Sequence, residues 1–177
     1  MKTMFKRSLA VILTALLLMS MIPFTVSAAE VTMDFVGLAS GTTGDCTWKL
    51  ENNILTIDGE VEGNMADYDA VDNLCPWKDE TFNTVRIAFN TSNVGSFAFY
   101  ECTGITSVTL EGCTIIGNHA FEGCRNLTAV TIDKFVKSIG EKAFGYYYDN
   151  GYHKVDGFTI TGYSGSAAET YANENSF

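Results

Sequence analysis

The stretch Val94-Gly95-Ser96-Phe97-Ala98-Phe99-Tyr100-Glu101-Cys102-Thr103-Gly104-Ile105-Thr106-Ser107-Val108-Thr109-Leu110 returns almost at once. It reappears as Ile116-Gly117-Asn118-His119-Ala120-Phe121-Glu122-Gly123-Cys124-Arg125-Asn126-Leu127-Thr128-Ala129-Val130-Thr131-Ile132. Every matched position is displaced by 22 residues, as from Ala98 to Ala120 and from Leu110 to Ile132. A third copy opens at Ile139-Gly140-Glu141-Lys142-Ala143-Phe144, displaced by 23. A period in this range is the mark of a stacked repeat, because one unit cannot bury its apolar face alone and its neighbours bury it instead.

Each copy carries the same parts. Val108 and Leu110, Val130 and Ile132, and Phe158 and Ile160 alternate with other residues, mostly Thr, the period of a strand with one buried face. Gly95, Gly117 and Gly140 follow a branched residue and suit a turn with unusual backbone angles. The pairs Ala98-Phe99, Ala120-Phe121 and Ala143-Phe144 place one ring per coil, so the rings should lie over one another in the core.

Ile105-x-x-Val108-x-Leu110-x-x-Cys113 and Leu127-x-x-Val130-x-Ile132 match the leucine-rich-repeat skeleton. With the added frame Ile/Val-Gly-x-x-Ala-Phe-x-x-Cys-x-x-Leu/Ile, the chain resembles the BspA-type leucine-rich repeats of secreted and surface proteins, mostly bacterial. The resemblance covers Thr84 to Phe177 and extends to the lead-in from Gly41. It implies a leucine-rich-repeat solenoid of about three and a half coils, with short parallel β-strands and short helical turns at Ala-Phe. It also implies adhesion to matrix proteins, cells or surfaces.

The flanks fit that frame. Lys2, Lys6 and Arg7 precede the apolar run from Leu9 to Ile22, Pro23 breaks it, and Val26-Ser27-Ala28 supplies small residues. Residues 1–28 therefore read as a signal peptide, the run being shorter than the roughly 20 residues a spanning helix needs. Its removal takes three of the 11 bases and none of the 21 acids, leaving 8 against 21 and a net charge of −13. Nucleic acid and anionic membrane are excluded as partners on that ground. Residues 29–44 read as an extended leader whose first part is mobile. Residues 45–83 read as an N-terminal cap, a β-hairpin followed by an acidic loop. In the hairpin, Thr47-Trp48-Lys49-Leu50 and Ile54-Leu55-Thr56-Ile57 flank the turn Glu51-Asn52-Asn53. In the loop, Asp67-x-Asp69 begins like a calcium site, but Val71 and Lys78 stand where later ligands belong, so it reads as solvated. Tyr68 and Pro76-Trp77 should tuck this loop against the first coil. Residues 84–177 are the repeats with a C-terminal cap. Ser166-x-x-Glu169 is a capping box opening a helix to about Asn175.

Five cysteines are an odd number for a secreted chain. Cys102 and Cys124 share a repeat position and stack one coil apart, either as buried small core residues, since in-register side chains point the same way, or as a disulfide, since strand spacing brings them within its Cα range; Cys113 is core-like too. Cys46 and Cys75 lie outside the repeat, either joined by a disulfide that staples the loop to the hairpin or left as two thiols.

The enzyme reading finds little support. His119 sits at a variable, surface repeat position and His153 in an inserted turn, and no Gly-x-Ser-x-Gly, His-Glu-x-x-His or Cys-x-x-Cys is present. Cys113 with His119 is better explained as core. No cofactor or metal is implied. Two surfaces remain for binding. Gly145-Tyr146-Tyr147-Tyr148-Asp149-Asn150-Gly151-Tyr152 is an insertion with a turn signal, and Tyr146, Tyr148 and Tyr152 offer amphipathic contact area. The stronger reading of the same tyrosines is an end cap, with Tyr147 plugging the Cys position. The second surface is the outer strand face, with Arg86, Thr106, Thr109, Thr128 and Thr131. The expectation is a monomeric, non-catalytic, extracellular or surface-associated module that contacts a protein or glycan. A spacer without a ligand, or a polysaccharide-binding accessory, are the alternatives. No sorting motif, dockerin or wall-binding repeat is legible to choose among them.

Overall fold

The computed structural model describes residues 39–177, so the signal-peptide reading and most of the leader lie outside the described residues. Three strands open the fold as an antiparallel meander: β1 (Ala39–Thr43), β2 (Cys46–Glu51) and β3 (Ile54–Gly59). Residues 39–43, assigned above to the leader, thus form an edge strand, in register with Cys46–Leu50. Gly41 lies across from Trp48 there, and a Cβ on it would sit 2.7 Å from the indole nitrogen. Trp48, Leu55 and Ile57 are buried on one face.

A short β4 (Gly63–Asn64) precedes the repeats. Each repeat then contributes two strands: β5 (Thr84–Ile87) with β6 (Thr91–Val94), β7 (Ser107–Leu110) with β8 (Ile115–Ile116), and β9 (Ala129–Thr131) with β10 (Ser138–Ile139). One sheet runs β1-β2-β3-β5-β7, and its pairings from β3 onward are parallel. A second runs β4-β6-β8-β10, parallel throughout. The inserted turn is an antiparallel hairpin of β11 (Tyr146–Tyr148) and β12 (Tyr152–Lys154). β13 (Thr159–Thr161) returns parallel to β9, and α1 (Ala167–Asn175) follows.

The core between the two sheets is a column of aromatic rings. Phe99 lies over Phe121 at 4.7 Å and 11°, and Phe121 over Phe144 at 4.8 Å and 10°. Trp77 adds a fourth ring, 5.3 Å from Phe99, and donates its indole N–H to Ala98 O at 2.9 Å. Trp77 is 22 residues before Phe99, so it occupies the Phe position of a degenerate repeat. The loop it belongs to is built into the stack rather than laid against it. At the other end, Tyr171 of α1 accepts from Phe144 N at 2.9 Å and donates to Phe144 O at 2.8 Å, ending the column. Burial pushes the Tyr171 hydroxyl above its ordinary pKa, against the lowering effect of its bond with the Phe144 backbone.

Two local expectations change. The Ala-Phe segments are single turns, and α1 is the helix among the described residues. Left-handed residues bound each turn: Phe97 and Glu101 (both φ 54°), His119 (φ 56°) and Gly123 (φ 81°), Lys142 (φ 49°) and Gly145 (φ 74°). Helical angles cannot propagate past them. The repeat glycines serve contact rather than conformation. Gly95, Gly117 and Gly140 have no positive φ; instead a Cβ on Gly117 would fall 2.5 Å from Ser96 N and 2.8 Å from Gly95 C. Those are backbone atoms of the preceding repeat and cannot rotate away. Gly117→Ala should therefore lower unfolding stability by about 1–3 kcal/mol, read as a reduced urea midpoint.

The C-terminal capping box does not form: Ser166 is the N-cap without a side-chain cap bond, its hydroxyl donating to Tyr163 O, and Glu169 accepts at 2.6 Å from Gly165 N rather than from Ser166 N.

Candidate functional site

Register decides which side chains meet across repeats. Residues 101, 123 and 146 form one column and residues 103, 125 and 148 another, at the offsets of 22 and 23 that define the copies. Gly123 lets Glu101 of the preceding copy close onto its backbone, since a Cβ there would fall 2.9 Å from Glu101 Cα and Cγ. An open cleft of about 440 Å³ is lined by Glu101, Thr103, Gly123, Arg125, Tyr147 and Tyr148.

Arg125 organises its floor. Its guanidinium lies 4.2 Å from the centre of the Tyr147 ring and donates to Tyr148 O at 3.4 Å. Tyr147 is sandwiched, with the His153 imidazole 5.3 Å away at 22° and His153 Nε2 2.9 Å from Asp149 O. Tyr148 and Tyr152 meet edge to face at 5.4 Å, both exposed, and Lys142 Nζ lies 4.4 Å over the Tyr152 ring. Such a surface combines a fixed cation, a carboxylate and rigid aromatic faces, the usual means of gripping a polar ligand with an apolar side.

The residues singled out in the sequence separate into groups. Tyr148 lines the cleft and Tyr152 flanks it. Tyr146 is turned to the end of the stack, donating to Asn175 Oδ1 at 3.0 Å and lying against Phe177 at 5.5 Å. Arg86, Thr109 and Thr131 are exposed on the strand face, with Arg86 directly opposite Thr109. Arg86 is held by Glu111 through two bonds, at 2.8 and 2.7 Å, which raise its pKa further. Thr106 and Thr128 are exposed at the strand starts, and Thr106 donates to Asn83 O at 3.3 Å. Thr103 and Arg125, which line the cleft, stand three residues before Thr106 and Thr128 along the chain. Arg125 and Glu101 were not foreseen. The signal for them lay in the offset itself, since Arg125 and Tyr148 are 23 residues apart.

His119 differs from its expected surface role. Its ring is stacked on Phe97 at 4.6 Å, its side chain is 18% exposed, and Nδ1 lies 2.5 Å from Glu122 Oε2. Glu122 is 2% exposed, the most deeply buried charged residue among those described. The acidic loop spends its carboxylates on backbone. Asp69 accepts from the N–H groups of Val71, Asp72 and Asn73, which hold its pKa below the usual carboxylate value, and Asp67 accepts from Ser96 N at 2.6 Å.

All five cysteines are thiols. Cys124 donates its thiol to Phe99 O at 3.2 Å, and Cys46, Cys75 and Cys113 are buried.

A family model described as a BspA type leucine rich repeat region matches residues 77–154 in six copies. Residues 77–154 are thus similar to BspA-type leucine-rich repeats. The match begins at Trp77, the first ring of the column, and ends at Lys154, the last residue of β12. BspA-type repeats generally mediate protein–protein or surface interactions and are typically non-catalytic. No curated protein and no solved structure matches the chain. Among the described residues, no helix is long and apolar enough to cross a membrane.

Proposed function

We propose that the chain is a secreted, non-catalytic binding module, a leucine-rich-repeat solenoid that attaches to a protein, cell or glycan surface. The cleft carries this reading: Arg125 lies over the Tyr147 ring, and Glu101 and the exposed Tyr148 join it in the lining. Aromatic and arginine side chains held rigid in this way lose little entropy on binding and are the residue types that dominate interface energetics. The acidic charge favours ligands that are neutral or basic at the contact. The apolar run of residues 1–28 supports export, and an extracellular setting follows from it.

The test is a binding screen of the purified chain against immobilised matrix proteins, whole bacterial cells and insoluble polysaccharides at physiological salt. Saturable binding is expected to at least one. Arg125→Ala and Tyr148→Ala should each weaken it at least about tenfold with the fold intact. Binding unchanged in both variants would remove the cleft and leave the strand face, where Arg86→Ala with Thr109→Ala is the corresponding test. Binding to polysaccharide alone would favour an accessory role in carbohydrate attachment.

A further inference from the structure

The three copies close their Ala-Phe turns on a left-handed residue. In the second and third copies it is Gly123 (φ 81°) and Gly145 (φ 74°), and in the first it is Glu101 (φ 54°). A left-handed angle is open to glycine and strains a residue with a Cβ. At the opening of the turn Phe97, His119 and Lys142 are left-handed too, but their side chains have partners. Phe97 stacks on His119 at 4.6 Å, and Lys142 pairs with Glu141. Glu101 has no such partner. The ion pairs among the described residues are Lys49–Glu51, Arg86–Glu111, His119–Glu122 and Lys142–Glu141. Glu101 and Arg125 belong to none of them, although both line the same cleft. An exposed, unpaired carboxylate on a strained backbone, facing a cleft, is the pattern of a residue kept for what it binds.

We infer that the cleft binds a neutral sugar, with Glu101 accepting hydrogen bonds from its hydroxyls and Arg125 donating to them. This ligand class holds only if the cleft is the binding site, as proposed above. Charge selects the class. The guanidinium opposes a cationic ligand and the carboxylate an anionic one, so the group they share is neutral and both donates and accepts. A hydroxyl does both, and neighbouring hydroxyls on a sugar ring offer two oxygens at once to a planar carboxylate or guanidinium. A peptide amide turns its N–H and C=O to opposite sides and cannot serve both from one edge. The Glu101 stem is seated on Gly123, where a Cβ would fall 2.9 Å from its Cγ, and Arg125 lies 4.2 Å over the Tyr147 ring, so both charges are held in place. Thr103 adds a hydroxyl to the lining, and the exposed Tyr148 an aromatic face for the C–H side of the sugar. The volume of about 440 Å³ lies at the small end of ligand sites, which suits the end of a glycan rather than a long stretch of it.

The experiment uses the full chain and follows ligand signals by saturation-transfer NMR. The probes are oligosaccharides of glucose, galactose, mannose and N-acetylglucosamine, with galacturonate and glucosamine oligomers as charged controls. At least one neutral sugar should bind saturably and more tightly than both controls. Glu101→Gly should lose at least about tenfold in that affinity while its urea midpoint stays level or rises, since glycine relieves the left-handed angle. A merely structural Glu101 would lower the midpoint instead. Four results would each overturn the inference: no neutral sugar bound, tighter binding of either control, unchanged affinity in Glu101→Gly, or a lowered midpoint. The cleft is tested apart from its ligand. Loss of protein or cell binding in Arg125→Ala, with no sugar bound by the parent chain, would keep the site and discard the ligand class.

Discussion

Phe121→Ala should destabilise the chain by about 3–5 kcal/mol, the range for deleting a buried aromatic ring. Phe121 is 1% exposed and stacked on both faces, against Phe99 and Phe144. Its removal leaves a void that neither neighbour can fill, because each ring is pinned at the register of its own repeat. Ala98, Ala120 and Ala143 are wholly buried beside the rings and hold the backbones close. The effect should exceed that of Phe144→Ala, since Phe144 has a ring partner on one side and the Tyr171 hydroxyl binding its backbone on the other. Chemical denaturation of both variants checks the order. Equal losses would mean that the column is not the principal support of the stack.

His119→Ala should cost about 1–3 kcal/mol, the penalty for leaving the buried Glu122 side chain without its hydrogen-bond partner. Glu122 has its side-chain hydrogen bond with His119 and is 2% exposed. The expected signature is non-additivity. Glu122→Gln in the His119→Ala background should restore part of the loss, because a neutral amide costs far less to bury. A double variant as unstable as the sum of the two single changes would show that the contact is incidental and that the His119 ring acts through its stack on Phe97.

Most of the architecture could be read from residues 94–132, because a repeat states its own register. The offset of 22 placed the Phe rings over one another, and the alternation at Val108-Leu110 and Val130-Ile132 marked strands. What escaped was whatever depends on the neighbour above or below. Glycine suggested an unusual backbone, yet in Gly117 it answers the approach of Ser96 N, and the left-handed angle falls two residues later on His119. Trp77 reads as a loop residue along the chain and as a core ring down the column. Glu122 reads as a surface carboxylate until its neighbours are placed. Arg125 looks like an ordinary exposed cation until Tyr147 and Tyr148 are brought beside it by the same offset. The cleft was therefore half legible: its tyrosines stood out by composition, its arginine only by position.

The two parallel ladders carry a further consequence. Val85 pairs with Val108 at a separation of 23 residues and Ile116 with Ile139 at 23, whereas Leu55 with Val85 and Val130 with Ile160 both span 30. Chain closure grows only with the logarithm of length, so the longer spans cost about 0.2 kcal/mol more than the shorter ones. The tyrosine hairpin accounts for the long span at the C-terminal side, and its presence is thermodynamically almost free. Length and composition at that edge can drift with little effect on whether the chain folds. Recognition can diversify there while the column of rings stays the same.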